Sequence, residues 1–183
     1  MHYMKLYSDS YFKKRFFNDA LRIKSFQEEK NFIKKFTLMN KKVCDVGCST
    51  GEFLKSIKWT GSKYGLEINK KAIFEAKKNG IKFDKNILNT SNFFDIVIFR
   101  GTIQHLEDPF KYLSHAHSSL KKGGLVFFLA TPNTNSLHYK LFQDLPALDA
   151  KRNFYLPSKS SIINLMNMYN LKMKFLQLLV FSY

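Results

Sequence analysis

A chain of 183 residues, 45% hydrophobic and 24% charged, can bury one apolar core without disulfide staples and reads as a single globular domain. Its two cysteines, Cys44 and Cys48, have no further Cys or His cluster beside them to complete four ligands, so both read as reduced thiols and no metal is expected. A net charge of +16 points toward a polyanion, but the lysine doublets are spread from Lys13-Lys14 to Lys121-Lys122, and the Lys, Asn, Phe and Ile they accompany have A- and T-rich codons, so a nucleic-acid partner is disfavoured while an anionic small substrate stays compatible.

Residues 1–40 carry Tyr7, Tyr11, Phe12, Phe16, Leu21, Phe26 and Phe32-Ile33 at roughly helical spacing, which predicts N-terminal helices. The first residues hold no apolar stretch of the signal-peptide kind, and the run Leu176 to Phe181 is too short to span a bilayer, so a cytoplasmic chain is expected. Lys42 to Val46 reads as a buried strand that ends in a glycine-bounded loop, and Gly51 to Trp59 as a helix with Phe53, Leu54 and Ile57 on one side.

Tyr64 to Ile68 predicts the next strand, Lys70 to Lys78 a helix stopped by Asn79-Gly80, and Ile81 to Phe83 a short strand. Phe93 to Phe99 is a nearly continuous apolar run, expected of a central strand covered on both faces. Asp108-Pro109 starts a helix to about Leu120, ended by Lys121-Lys122-Gly123-Gly124, and Leu125 to Ala130 follows as a buried strand. A helix capped by Ser158 and a final strand, Leu171 to Val180, close the chain.

Strands alternating with helices predict an α/β fold: a mostly parallel, Rossmann-like sheet with helices on both faces. Ligands of such sheets sit beyond the carboxyl ends of the strands, where strand order reverses. The segment Asp45-Val46-Gly47-Cys48-Ser49-Thr50-Gly51 delivers an acid, then a loop whose glycines let backbone approach a ligand, then a helix N-terminus. It lacks the second glycine of G-x-G-x-x-G, which disfavours a nicotinamide-dependent reductase, and Asp45 suits a cationic ligand better than a pyrophosphate. Glu67, at the end of the next strand, can accept both hydroxyls of a ribose. Taken singly, Asp45 reads equally as a helix cap and Glu67 as a solvated strand end; in order they indicate a nucleoside site.

These segments, together with Tyr64-Gly65-Leu66-Glu67, Phe94-Asp95-Ile96-Val97-Ile98-Phe99, Gln104-His105-Leu106-Glu107-Asp108-Pro109, Leu120 to Leu125 and Ala130-Thr131-Pro132-Asn133, resemble the class I S-adenosylmethionine-dependent methyltransferase family and its small-molecule subgroup. The resemblance runs from about Lys42 to Asn133. It implies S-adenosylmethionine as cofactor, with Gly47, Cys48, Ser49 and Gly51 along its methionine part, Glu67 on the ribose, Asp84 or Asn86 near the adenine, and Arg100 and Gly101 beside the sulfonium. Ser49 stands where the family commonly has Gly, and Asn153 where relatives often carry His.

The implied organisation is one domain over 1–183: a helical lid (1–40), a cofactor-binding core (41–133) and a substrate-side segment (134–183). His105 is the catalytic candidate, a base for an acceptor hydroxyl; ordering the turn before Asp108-Pro109 is the alternative. The expected function is methyl transfer to a hydroxyl of a small acceptor, O-methylation of a sugar or other biosynthetic intermediate; an RNA or DNA methyltransferase and an inactive cofactor-binding module are the rivals. The family's seven-stranded sheet leaves one strand too few here, so Phe175 to Val180 is expected to be an exposed edge that pairs in a homodimer or to continue in a longer chain.

Overall fold

The computed structural model describes residues 19–84, 86–145, 148, 151–169 and 171. The expected aromatic helix before residue 19, the last strand and the dimer edge built on it lie outside the described residues. Among the described residues the elements are α1 (Asp19–Lys34), β1 (Val43–Val46), α2 (Glu52–Ser56), β2 (Lys63–Leu66), α3 (Lys70–Lys78), β3 (Phe94–Arg100), α4 (Pro109–Ser119), β4 (Leu120–Leu129), α5 (Leu137–Phe142) and α6 (Lys159–Met168), with 3₁₀ turns at Ile87–Asn89 and Ile103–His105.

The sheet order is β2-β1-β3-β4 and every pairing is parallel. Strand order reverses between β1 and β3, so the crevice for a ligand opens beyond Val46 and Arg100. Side chains alternate between two apolar cores. Val43, Ile96, Ile98, Phe127 and Leu129 face one core with Phe26 and Ile33 of α1, Phe53 and Leu54 of α2 and Ala76 of α3. Cys44, Val46, Val97 and Phe99 face the other with Leu113 and Ala116 of α4 and Leu165 of α6. A strand covered on both sides has no polar face to spare, which is why the run Phe94 to Phe99 reads as apolar throughout.

Local chemistry starts the helices where expected. Asn69 Oδ1 accepts from the backbone of Lys71 and Ala72, each at 2.9 Å, and Asp108 Oδ1 accepts from Lys111 N at 2.9 Å with Pro109 in the first turn. Ser158 and Ser161 form a reciprocal capping box on α6. Each such cap contributes about 1 kcal/mol.

Two expectations are corrected. Ile81 to Phe83 is not a strand; a single parallel bridge joins Lys82 to Tyr64. The glycine pair after α4 does not end the helix, which stops at Ser119; it lies inside β4, where Gly123 has φ +78° and the register against β3 shifts between Phe94 and Ile96. An irregular strand needs a residue free of a Cβ, and the sequence supplies the same Gly signal for both uses.

Candidate active site

The loop after β1 turns sharply at two positions. Gly47 has φ +75°, and a Cβ there would lie 2.6 Å from Thr102 Oγ1, so the loop lies directly against the turn that follows β3. Ser49 has φ +51°, a left-handed conformation that favours Gly, and this is the physical reason Gly is common at that position in the family it resembles. The loop is held from β2: Glu67 Oε2 accepts from Ser49 N at 3.0 Å, while Oε1 accepts from Ile68 N at 2.8 Å and Asn69 N at 3.0 Å. Asp45 is buried at the end of β1.

Asp45, Gly47, Cys48, Ser49 and Arg100 line one cleft, together with Arg22 and Phe26 of α1 and Glu52 and Phe53 of α2. Thus five residues expected at the site meet there. Gly51 is instead the N-cap of α2 and packs toward Ile81. Asp84 and Asn86 are exposed and absent from the cleft lining; Asp84 Oδ1 accepts from Asn86 N at 2.9 Å. Gly101, with φ +57°, donates its N–H to Leu129 O and so joins the ends of β3 and β4.

The sequence reading missed what α1 contributes. Arg100 donates from Nε to Glu29 Oε2 at 2.6 Å and from Nη2 to Glu29 Oε1 at 3.1 Å, and Glu29 is fully buried. The Arg100 guanidinium lies 4.4 Å from the Phe26 ring centroid and 5.1 Å from that of Phe53. Arg22 forms an ion pair with Glu52. Arg22, Phe26, Glu29 and Ile33 follow at steps of four, three and four, one helix face on which two charges interrupt the apolar pattern; that interruption was the available signal. Both thiols are free and buried, and burial pushes Cys44 and Cys48 well above the usual thiol range, with the Asp45 charge adding to it.

His105 sits in the 3₁₀ turn after β3. Its Nδ1 is 2.9 Å from Arg152 O and its Nε2 is 3.3 Å from Gln104 Nε2. A carbonyl oxygen only accepts, so Nδ1 carries the proton and the Nε2 lone pair accepts from the Gln104 side-chain amide; His105 is not among the residues that line the cleft.

Comparison with known proteins fits this geometry. The methyltransferase-domain family matches residues 17–174. The chain belongs to this family. It is 30% identical over 138 residues to the ubiquinone biosynthesis O-methyltransferase of Pelagibacter ubique, covering 66% of this chain and 56% of that protein. It is 27% identical over 164 residues to the tRNA U34 carboxymethyltransferase of Campylobacter fetus, covering 76% of this chain and 58% of that protein. A crystal structure of an S-adenosylmethionine-dependent methyltransferase from Thermotoga maritima superposes with a TM-score of 0.66 at 22% identity, over 92% of this chain and 79% of that one, which establishes the shared fold. The chain spans a little over half the length of these two curated relatives.

S-adenosylmethionine is the cofactor of this methyltransferase family, and the cleft fits it. A Cβ-free backbone at Gly47 admits close approach, the buried Asp45 carboxylate suits a cation, and Glu67 is fixed at the end of the neighbouring strand. Among the described residues no helix is long and apolar enough to cross a membrane.

Proposed function

We propose that this methyltransferase-family chain transfers a methyl group to a hydroxyl of a small-molecule acceptor, as a cytoplasmic enzyme. The observation that carries the reading is the convergence of Asp45, Gly47 and the Glu67-tethered Ser49 at the point where strand order reverses. Bound S-adenosylmethionine supplies an electrophilic methyl carbon on a sulfonium. Glu67 would accept ribose hydroxyls, and the backbone of Gly47 to Ser49 would run along the methionine part. Asp84 or Asn86 serves the adenine end, and Gly51 shapes the loop by starting α2.

As the acceptor oxygen takes the methyl group that the bound cofactor would supply, its hydroxyl proton would pass to His105 Nε2. The Arg152 carbonyl holds the tautomer in which Nε2 carries the lone pair, and the acceptor hydroxyl would have to displace the Gln104 amide from it. Arg100 and Gly101 form the wall between cofactor and acceptor; with its charge taken up by Glu29, Arg100 adds little repulsion toward a sulfonium. Helix α1 covers the cleft and excludes water, which in-line transfer requires.

A second reading, methylation of RNA, is favoured by the net charge of +16 and by the likeness to the Campylobacter fetus tRNA enzyme. Titration calorimetry with S-adenosylhomocysteine, followed by transfer of labelled methyl to small hydroxylated acceptors or to RNA, tests both. Absence of binding at millimolar ligand by the folded protein would overturn the cofactor reading.

A further inference from the structure

Glu29 of α1 is fully buried and does not line the cleft, yet it grips a residue that does. Arg100 donates to it from Nε at 2.6 Å and from Nη2 at 3.1 Å, and Ser25 Oγ donates to its Oε1 at 3.1 Å. The rings of Phe26 and Phe53, with centroids 4.4 and 5.1 Å from the guanidinium carbon, fix that cation at the cleft. Anchoring α1 to β3 does not by itself explain the pair. Burying a carboxylate costs free energy even when it is matched, and two apolar side chains of similar volume would hold the helix at least as well. What the pair changes is the charge of the cleft. Arg22, Arg100, Asp45 and Glu52 line it, two guanidinium groups and two carboxylates. The Cys48 thiol beside them stays neutral, because burial pushes it above the usual thiol range. Glu29 adds a third carboxylate from behind Arg100, so that carboxylates outnumber guanidinium groups in this set by one.

We propose that Glu29 is a positioning residue for the charge of the cofactor site: acting through Arg100, it gives the cleft the negative charge that raises affinity for the sulfonium cofactor relative to its thioether product. S-adenosylmethionine and S-adenosylhomocysteine carry the same ammonium and the same carboxylate. They differ at sulfur, which is a cation in the first and neutral in the second, so a charge placed near sulfur acts on one ligand and hardly on the other. Without Glu29 the Arg100 charge would repel the sulfonium and leave the thioether indifferent. The inference rests on the cofactor reading and on the place of Arg100 in the cleft, and it requires no assumption about the acceptor.

The experiment is calorimetric titration of the full chain with S-adenosylmethionine and, separately, with S-adenosylhomocysteine, with no acceptor present. It is run on wild type, Glu29→Gln and Arg100→Gln. Glu29→Gln keeps the shape and leaves the Arg100 charge facing the ligand; S-adenosylmethionine is expected to weaken about 10-fold relative to S-adenosylhomocysteine. Arg100→Gln removes the opposite charge, and the ratio of the two affinities is expected to move about 10-fold the other way. The methyl group that also distinguishes the ligands contributes alike in every variant and cancels from the change in the ratio. If Glu29 only holds α1 in place, both ligands lose affinity together. An unchanged ratio in Glu29→Gln therefore overturns the inference while the cofactor reading stands. Where Glu29→Gln does not fold, Arg100→Gln decides, and an unchanged ratio there overturns it equally. Binding of neither ligand by the folded wild type would remove both readings.

Discussion

Arg100, the last residue of β3, grips the fully buried Glu29 of α1 through two nitrogens, at 2.6 and 3.1 Å. The pair ties a helix that lines the cleft to the strand that ends in it. Ser25 Oγ supports both sides, lying 3.1 Å from Glu29 Oε1 and 3.4 Å from Arg100 Nη2. Removing one partner of a buried pair strands the other charge. Arg100→Met is therefore expected to destabilise the chain by about 3–5 kcal/mol, and Glu29→Leu with Arg100→Met to recover most of that loss. Urea denaturation of the two single variants and the double variant measures it; additive losses would show that the charges act independently.

Glu67 has a double duty in the proposed site, because its carboxylate receives three backbone N–H groups before any ligand arrives. Glu67→Ala is expected to weaken S-adenosylhomocysteine binding by about 10-fold to 150-fold, corresponding to a charge-assisted bond of about 1.5–3 kcal/mol. It should also lower the melting temperature of the ligand-free chain, because the Ser49 N–H loses its acceptor. Calorimetric titration and a thermal melt on the same variant separate the two effects.

For His105 the expected outcome of His105→Ala is a turnover lower by about 10²–10⁴ with cofactor affinity preserved. Single-turnover assays with a responsive acceptor check the first part and calorimetry the second. A few-fold loss together with a lower melting temperature would mean that the ring serves to bind the Arg152 carbonyl and order the turn.

Asp95 lies at the other end of the sheet and links three segments: Oδ1 accepts from Lys121 Nζ and Oδ2 from Lys42 N, both at 2.9 Å. Partial burial alone would raise its pKa, but these bonds and the Lys121 and Lys41 charges outweigh it and hold the carboxyl below the usual carboxylate range. A group depressed in the folded state adds stability above its unfolded pKa of about 3.9 and loses it as pH falls through the lower folded value. Asp95→Asn is thus expected to destabilise at about pH 7 and to narrow its difference from wild type toward about pH 3. Urea midpoints at the two pH values give the answer; a difference independent of pH would remove the charge from the explanation.

The charge of +16 is expected to give only weak, salt-sensitive contact with RNA. Fluorescence anisotropy with labelled single-stranded RNA should show no binding tighter than about 1 μM at about 0.15 M salt. Tighter binding that persists at that salt would favour the RNA reading.

The order of elements was legible in the sequence because each carries a local cause. Asp108-Pro109 and Ser158 cap their helices whatever the rest of the chain does, and the apolar run Phe94 to Phe99 needs only cover on two faces. The acid–glycine loop and Glu67 were legible for the same reason, since strand end, turn and acid are consecutive. The glycine pair after α4 misled because one residue type serves both a helix end and an irregular strand, and only the pairing of β4 with β3 chose between them. The contact of Glu29 with Arg100 joins residues 71 positions apart, and the contacts of Arg152 with His105 and of Phe154 with Gln104 span 47 or more. No local rule reports such distances: burial of Glu29 requires a cation arriving from β3, and the packing of residues 152–154 against Gln104 and His105 arises only once the chain folds back.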